Sequence, residues 1–178
     1  FCGQCLPAGT TLASDMLGKL EERLDRLIRP AGGTQYRSPA MQAALLTDVH
    51  DLLDFHRAAR LQAPSYLATT AQRMAPLMRM LIHNDGSVAH HNQSFALPPE
   101  AMATFMERCL HKVAPLRAAF ASGLYRLTAR RATLLIDGGT QPHAGFDQQA
   151  FAGTLSFEMT GGTQKLITNM GSHERKAL

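Results

Sequence analysis

Apolar residues recur every three or four positions through the first two thirds of the chain and every second position after that, so the pattern predicts helices followed by strands. Leu17, Leu20, Leu24, Leu27 and Ile28 keep helical spacing after Ser14, which serves as an N-cap, until Arg29-Pro30 and Gly32-Gly33 stop the run. A second helix opens at Ser38-Pro39, a cap followed by proline in the first turn; Leu45, Val49, Leu52, Leu53 and His56 line one face while Asp48, Asp51 and Asp54 point elsewhere. Leu67, Ala71, Met74, Met78 and Leu81 mark a third, in which Pro76 forces a kink or a late start. Pro98-Pro99-Glu100 opens a fourth, with Met102, Phe105, Met106, Cys109 and Val113 inward and an end near Pro115.

The period then changes. From Gly123, Tyr125, Leu127 and Ala129 alternate with Arg126 and Thr128, and Ala132 to Ile136 is a run of the buried-strand type. Leu155, Phe157 and Met159 alternate with Ser156, Glu158 and Thr160; Gly161-Gly162 marks a hairpin turn, and Lys165 to Met170 is the returning strand. The expected organisation is a helical part, residues 1–118, made of antiparallel pairs as in a bundle or the rim of an α/α toroid, and a β part, residues 119–178.

Composition narrows the class. With 178 residues and 45% hydrophobic positions the chain is of globular type, and no run approaches the length of about 18 apolar residues that a membrane helix needs. Eighteen Lys and Arg against fourteen Asp and Glu leave a net charge of +4, scattered rather than striped, which argues against a nucleic-acid partner. Three cysteines cannot all pair within one chain. Cys2 and Cys5 have CxxC spacing but no second pair, and Cys109 falls on an apolar helix face as a core residue. Phe1 in place of Met and strands close to Leu178 fit a piece of a longer protein, whose cut sheet would present an unpaired edge.

Candidate chemistry concentrates in the loop from His83 to Gln93, which holds His83, Asn84, Asp85, His90, His91 and Asn92. It reads either as an exposed polar loop turned by Asp85-Gly86, as a substrate or catalytic site, or as a metal site. The last would need several of these groups within about 2.0–2.2 Å of one ion. A second candidate is Gly32-Gly33-Thr34-Gln35-Tyr36-Arg37-Ser38-Pro39. Its glycines allow close approach of a ligand or of a neighbouring helix, Tyr36 offers a phenol for proton transfer, and Arg37 can pair with a carboxylate. Asp137-Gly138-Gly139 is a turn first and a functional acid second. Neither a phosphate-binding GxxxxGK[ST] loop nor a GxSxG elbow is present.

Four segments resemble the start of the β-sandwich in heparinase II/III-like proteins: Ser122-Gly123-Leu124-Tyr125-Arg126-Leu127, Thr133-Leu134-Leu135-Ile136-Asp137-Gly138-Gly139, Leu155-Ser156-Phe157-Glu158-Met159 and Ile167-Thr168-Asn169-Met170-Gly171-Ser172. Gly32-Gly33 with Arg37-Ser38-Pro39, the stretch from Arg73 to Arg79, and His83-Asn84-Asp85-Gly86 resemble the last helices of that family's toroid and the loop that follows. The resemblance covers roughly residues 14–175. It implies an α+β multidomain fold in which the C-terminal helices of an α/α toroid precede antiparallel β-sandwich strands.

The enzymes of this family cleave uronic-acid glycosides by β-elimination, so the implied function is that of a polysaccharide lyase acting on an acidic polysaccharide or oligosaccharide, inactive as this piece alone. The residues offered for proton transfer are Tyr36, His83, His90 and His91, and those offered for substrate binding are Arg37, Asp85 and Asn92. The resemblance fails at two places. The family's tyrosine closely follows its Ser-Pro, where this chain has Ala40-Met41-Gln42; its His-x-His-Ala-Asp pattern is replaced by Gln149-Ala150-Phe151-Ala152-Gly153. Phe151 transfers no proton and Gly153 offers no carboxylate, so a non-catalytic carbohydrate-binding or assembly protein with the same architecture is the alternative. A metal-dependent enzyme built on His83, Asp85, His90 and His91 is a third expectation; homo-oligomerisation, or pairing with the rest of the parent protein, accompanies the cut sheet.

Overall fold

Ser38 sets the start of the helix that positions most of the candidate residues. Its Oγ accepts from the Met41 N–H, Pro39 occupies the first turn, and the Ser94 hydroxyl lies 3.1 Å from that Oγ. The computed structural model describes residue 3 and residues 9–94, 96–147 and 155–169. Its helices are α1 (Thr10–Leu27), α2 (Pro39–Ala58), α3 (Ser65–Met80) and α4 (Pro99–Leu110); its strands are β1 (Ala118–Ala119), β2 (Leu124–Ala129), β3 (Ala132–Asp137), β4 (Ser156–Gly161) and β5 (Gln164–Ile167). Cys2, Cys5, the segment Gln149–Gly153 and the chain from Met170 onward lie outside the described residues.

Three helix ends differ from the pattern. The first helix begins at Thr10, because nothing in Thr10-Thr11-Leu12-Ala13 breaks it; the Ala13 N–H bonds the Gly9 carbonyl at 2.8 Å and Ser14 falls inside. Helix α3 runs through Pro76 from Ser65. The last helix stops at Leu110, where His111 turns extended and Lys112 takes a left-handed φ of 57°. Leu46, Val49, Leu67, Met74, Met78, Met102, Phe105 and Cys109 form the helical core; a second cluster, Leu77, Met80, Leu81, Ala119 and Leu124, joins α3 to the sheet. Burial raises the Cys109 thiol to about 11, as a core cysteine requires.

The five strands form an antiparallel meander in the order β1-β2-β3-β4-β5. Register sets Arg126 opposite Leu135 and Leu135 opposite Glu158, whereas Leu127, Leu134, Met159 and Ile167 line up one residue away on the other face. The alternation is the expected one, but the apolar set faces away from the helices: Leu127 is 56% exposed and Phe157 44%, while Asp137, Glu158 and Thr160 are buried. Sheet positions that are usually solvated therefore meet the helical part.

Close packing of the backbone also ties the turn before α2 to α3. Gly32 has φ +83, and a Cβ added there would stand 1.9 Å from the Arg73 carbonyl oxygen of α3. The glycine pair thus admits a neighbouring helix. Gly32→Ala is expected to lower unfolding stability by about 3 kcal/mol, combining left-handed strain with a backbone clash; urea denaturation that leaves the midpoint unchanged would contradict this.

Candidate functional site at the helix–sheet junction

Arg37 is the first residue of the junction whose geometry is costly. It holds φ 56°, a left-handed conformation that costs a non-glycine residue roughly 1–2 kcal/mol. Three bonds fix it there: Nε–H donates to the Ser122 carbonyl at 2.9 Å, Nη1–H to the Thr140 carbonyl, and Nη2–H to Asp137 Oδ1. The side chains of Arg37 and Asp137 are 3% and 2% exposed. Asn92, also left-handed with φ 45°, donates from Nδ2 to Asp137 Oδ2 and to the Arg37 carbonyl, both at 3.0 Å. Gly139 completes the cradle: its N–H reaches Asp137 Oδ1 at 3.2 Å, and a Cβ there would lie 2.3 Å from Arg37 Nη2.

A second buried carboxylate lies on the neighbouring strand. Glu158 Oε2 is 2.6 Å from His83 Nε2, and both side chains are fully buried. Its other oxygen, Oε1, accepts the backbone N–H groups of His90 at 3.1 Å and of Asn169 at 3.0 Å. His91 is buried beside this pair with Nδ1 3.1 Å from the Ser156 hydroxyl. The loop from His83 to Asn92 therefore lies on the polar face of β3 and β4 and supplies the donors that two sheet carboxylates need.

The remaining candidates stand apart. Asp85 is exposed and caps its own turn, accepting the Ser87 N–H at 2.9 Å and the Ser87 hydroxyl at 2.6 Å. Tyr36 is half-buried with its ring edge-on to Phe146 at 5.3 Å, and His90 keeps part of its surface. Among the described residues no group of three or more His, Cys, Asp or Glu is arranged to hold a metal ion. Sequence reasoning missed Glu158 and undervalued Asp137. The only signal was that both are acids on strands next to apolar neighbours, a pattern shared with solvent-facing strand positions.

Electrostatics follow the burial. Burial alone would raise the Glu158 carboxyl, but the His83 imidazole and the His90 N–H hold it below its ordinary 4.5. For His91, burial outweighs the attraction of Glu158 and Asp137 and, with His83 and Arg37 nearby, keeps the imidazole below its ordinary 6.5.

The fold and the sheet sequence resemble those of heparinase II/III-like proteins. Residues 111–176 match the family model described as "Heparinase II/III-like, C-terminal". The crystal structure of heparinase III superposes with a TM-score of 0.65 at 11% identity, covering 85% of this chain and 29% of that one. That of a heparan sulfate lyase HepC mutant from Pedobacter heparinus gives 0.64 at 13%, covering 88% and 29%. In sequence the chain is 26% identical over 163 residues to FtsZ-localized protein C of Caulobacter vibrioides, covering 92% of this chain and 28% of that protein. The chain thus spans less than a third of the length of each of these proteins, and its likeness to the lyases is one of fold.

Two expected outcomes test the junction. Asp137→Asn leaves the Arg37 guanidinium buried without its counter-charge and is expected to cost about 3–5 kcal/mol of stability; a loss below 1 kcal/mol in urea denaturation would refute the assignment. Because His91 and Glu158 both titrate lower in the folded state than in the unfolded one, the unfolded chain binds more protons, so stability is full above pH 6.5 and falls with acidification, through His91 first and Glu158 below pH 4.5. Melting temperatures across pH 7 to 4 are expected to decline in this way, with a shallower decline between pH 6.5 and 5 in His91→Gln; parallel curves would count against it.

Proposed function

We propose that this chain is the junction of a heparinase II/III-like protein that works as a non-catalytic assembly module, its helical part (1–118) and β part (119–178) locked together by buried charge. The observation that carries the reading is that Arg37, His83, His91 and Asn92 are all buried at the contact between helices and sheet. A group that neutralises a substrate carboxylate, or takes its proton, must reach the substrate. Arg37 is instead bonded to Asp137, and His83 to Glu158. Further chain packed on this surface could only bury them more. The sequence supports the same reading, since Phe151 and Gly153 stand where the lyases carry a histidine and an aspartate.

Likeness to FtsZ-localized protein C supplies the kind of assembly: a partner structure that contains FtsZ. The full-length parent is expected to co-sediment with FtsZ polymers and to release no unsaturated uronate from heparan sulfate or other uronate-bearing glycans. Uronate release would replace this reading with the lyase one. Absence from the FtsZ pellet would remove the partner.

The lyase reading keeps one specific support, the part-exposed surfaces of Tyr36 and His90. It requires an acidic polysaccharide at Tyr36 with the phenol moving the proton, and Asp85 and the neighbouring loop contacting sugar. Tyr36→Phe in the full-length parent would then abolish turnover with unchanged melting temperature.

A further inference from the structure

Away from the junction's ion pairs, a cavity of about 400 Å³ opens between the end of α3, the start of the polar loop, α4 and β2. Two arginines, Arg79 and Arg126, line it together with His83, Asn84 and Gly86, and its lining contains no Asp or Glu. Burial, and then the charge of Arg79, pull the Arg126 guanidinium below its ordinary value, so the two cations repel across the space.

Arg126 is fixed in place. Its Nη1–H donates to the carbonyls of Met80 at 2.9 Å and Ile82 at 2.6 Å, which closes the C-terminal end of α3, and Nη2–H lies 3.3 Å from Asn84 Oδ1. Asn84 is itself steadied by the Thr133 hydroxyl at 3.1 Å. Arg79 has no such account: among the described residues it forms no ion pair and no side-chain hydrogen bond. Since Arg126 already satisfies the carbonyls at the helix end, a second guanidinium there adds repulsion that the fold does not need. His83 contributes a further unmatched group, Nδ1, buried and without a partner.

We propose that this cavity binds the phosphate of a small phosphomonoester. Two guanidiniums with no carboxylate between them call for two negative charges, and a phosphate monoester carries close to two at neutral pH, whereas a sulfate ester or a carboxylate carries one. Arg126 spends its Nη1 hydrogens on carbonyls and reaches Asn84 from Nη2, so it contributes its fixed charge, while Arg79 is left to close its fork on the oxygen atoms of such a group. The cavity exceeds the volume of free phosphate, so the remaining space takes the organic body of the ester. Gly86, at φ +84 with open space where a Cβ would stand, leaves the loop side unobstructed.

Isothermal titration of the full-length protein with glucose 6-phosphate, inorganic phosphate and glucose 6-sulfate tests this. Glucose 6-phosphate is expected to bind at least tenfold more tightly than glucose 6-sulfate, with affinity falling as salt rises. Arg79→Gln is expected to weaken it at least tenfold while raising the melting temperature in the absence of ligand, because the repulsion with Arg126 is gone. Arg126→Gln, which removes the fixed charge, is expected to weaken binding as well. No binding at millimolar glucose 6-phosphate, equal affinity for the sulfate ester, or unchanged affinity in Arg79→Gln would each overturn the proposal.

Discussion

A carboxylate taken out of water must be given donors, and two such carboxylates on one sheet face organise this molecule. Asp137 and Glu158 sit on adjacent strands and turn toward the helices rather than toward solvent. Leaving either ionised and unpaired would cost several kcal/mol, more than an ordinary single contact returns. The helical part meets the need through one loop and one turn: Arg37 and Asn92 for Asp137, His83 and the His90 N–H for Glu158. The left-handed backbone at Arg37 and Asn92 follows from this demand, because an extended chain would not aim both side chain and carbonyl at the same strand end. The glycines at 33 and 139 follow as well, since each admits a side chain of the opposite part, Ser122 and Arg37 respectively.

This constraint also decides how the residue types should be read. Histidine, arginine and asparagine clustered in a loop are what a β-eliminating site would use, and they are equally what a buried acidic sheet face would recruit. The two uses differ in accessibility. A catalytic imidazole must exchange protons with substrate, whereas His83 is enclosed with its partner. Structural likeness to heparinase III and to the HepC lyase carries over the frame on which such a site is built. It does not carry over the site, which in an enzyme of this fold depends on side chains at particular positions.

Much of the frame was legible in the sequence. Ser38-Pro39, the Leu and Met spacing of α3 and Gly161-Gly162 each encode a local rule, and helix, helix and hairpin follow at those places. Three of the four segments that resemble heparinase II/III-like proteins carry β2, β3 and β4; in the fourth, Ile167 ends β5, and Met170 to Ser172 lie outside the described residues. What the pattern could not give was the choice of sheet face. Alternation of Phe157 and Met159 with Glu158 and Thr160 fixes only that the two sets point opposite ways, and by composition the apolar set should turn inward. The reverse holds because the helical-part partners of Glu158 lie 68 and 75 residues earlier in the chain. No local property of β4 records that a histidine and an amide will be waiting there. The burial of Arg37 was hidden for the same reason, its counter-ion being 100 residues away.

A junction built on charge behaves differently from one built on apolar contact. Apolar packing tolerates exchange of one side chain for another of similar volume. The pairs here do not: a shift of one residue along β4 would replace Glu158 by Phe157 or Met159 opposite His83 and strand the imidazole and the amides together. The cost of a wrong alignment is therefore several kcal/mol at each carboxylate, while the gain of the right one over an apolar equivalent is small. Such a contact contributes more to the precision of the joint than to its strength. That is the property a joint needs where helical and β parts must hold a fixed orientation.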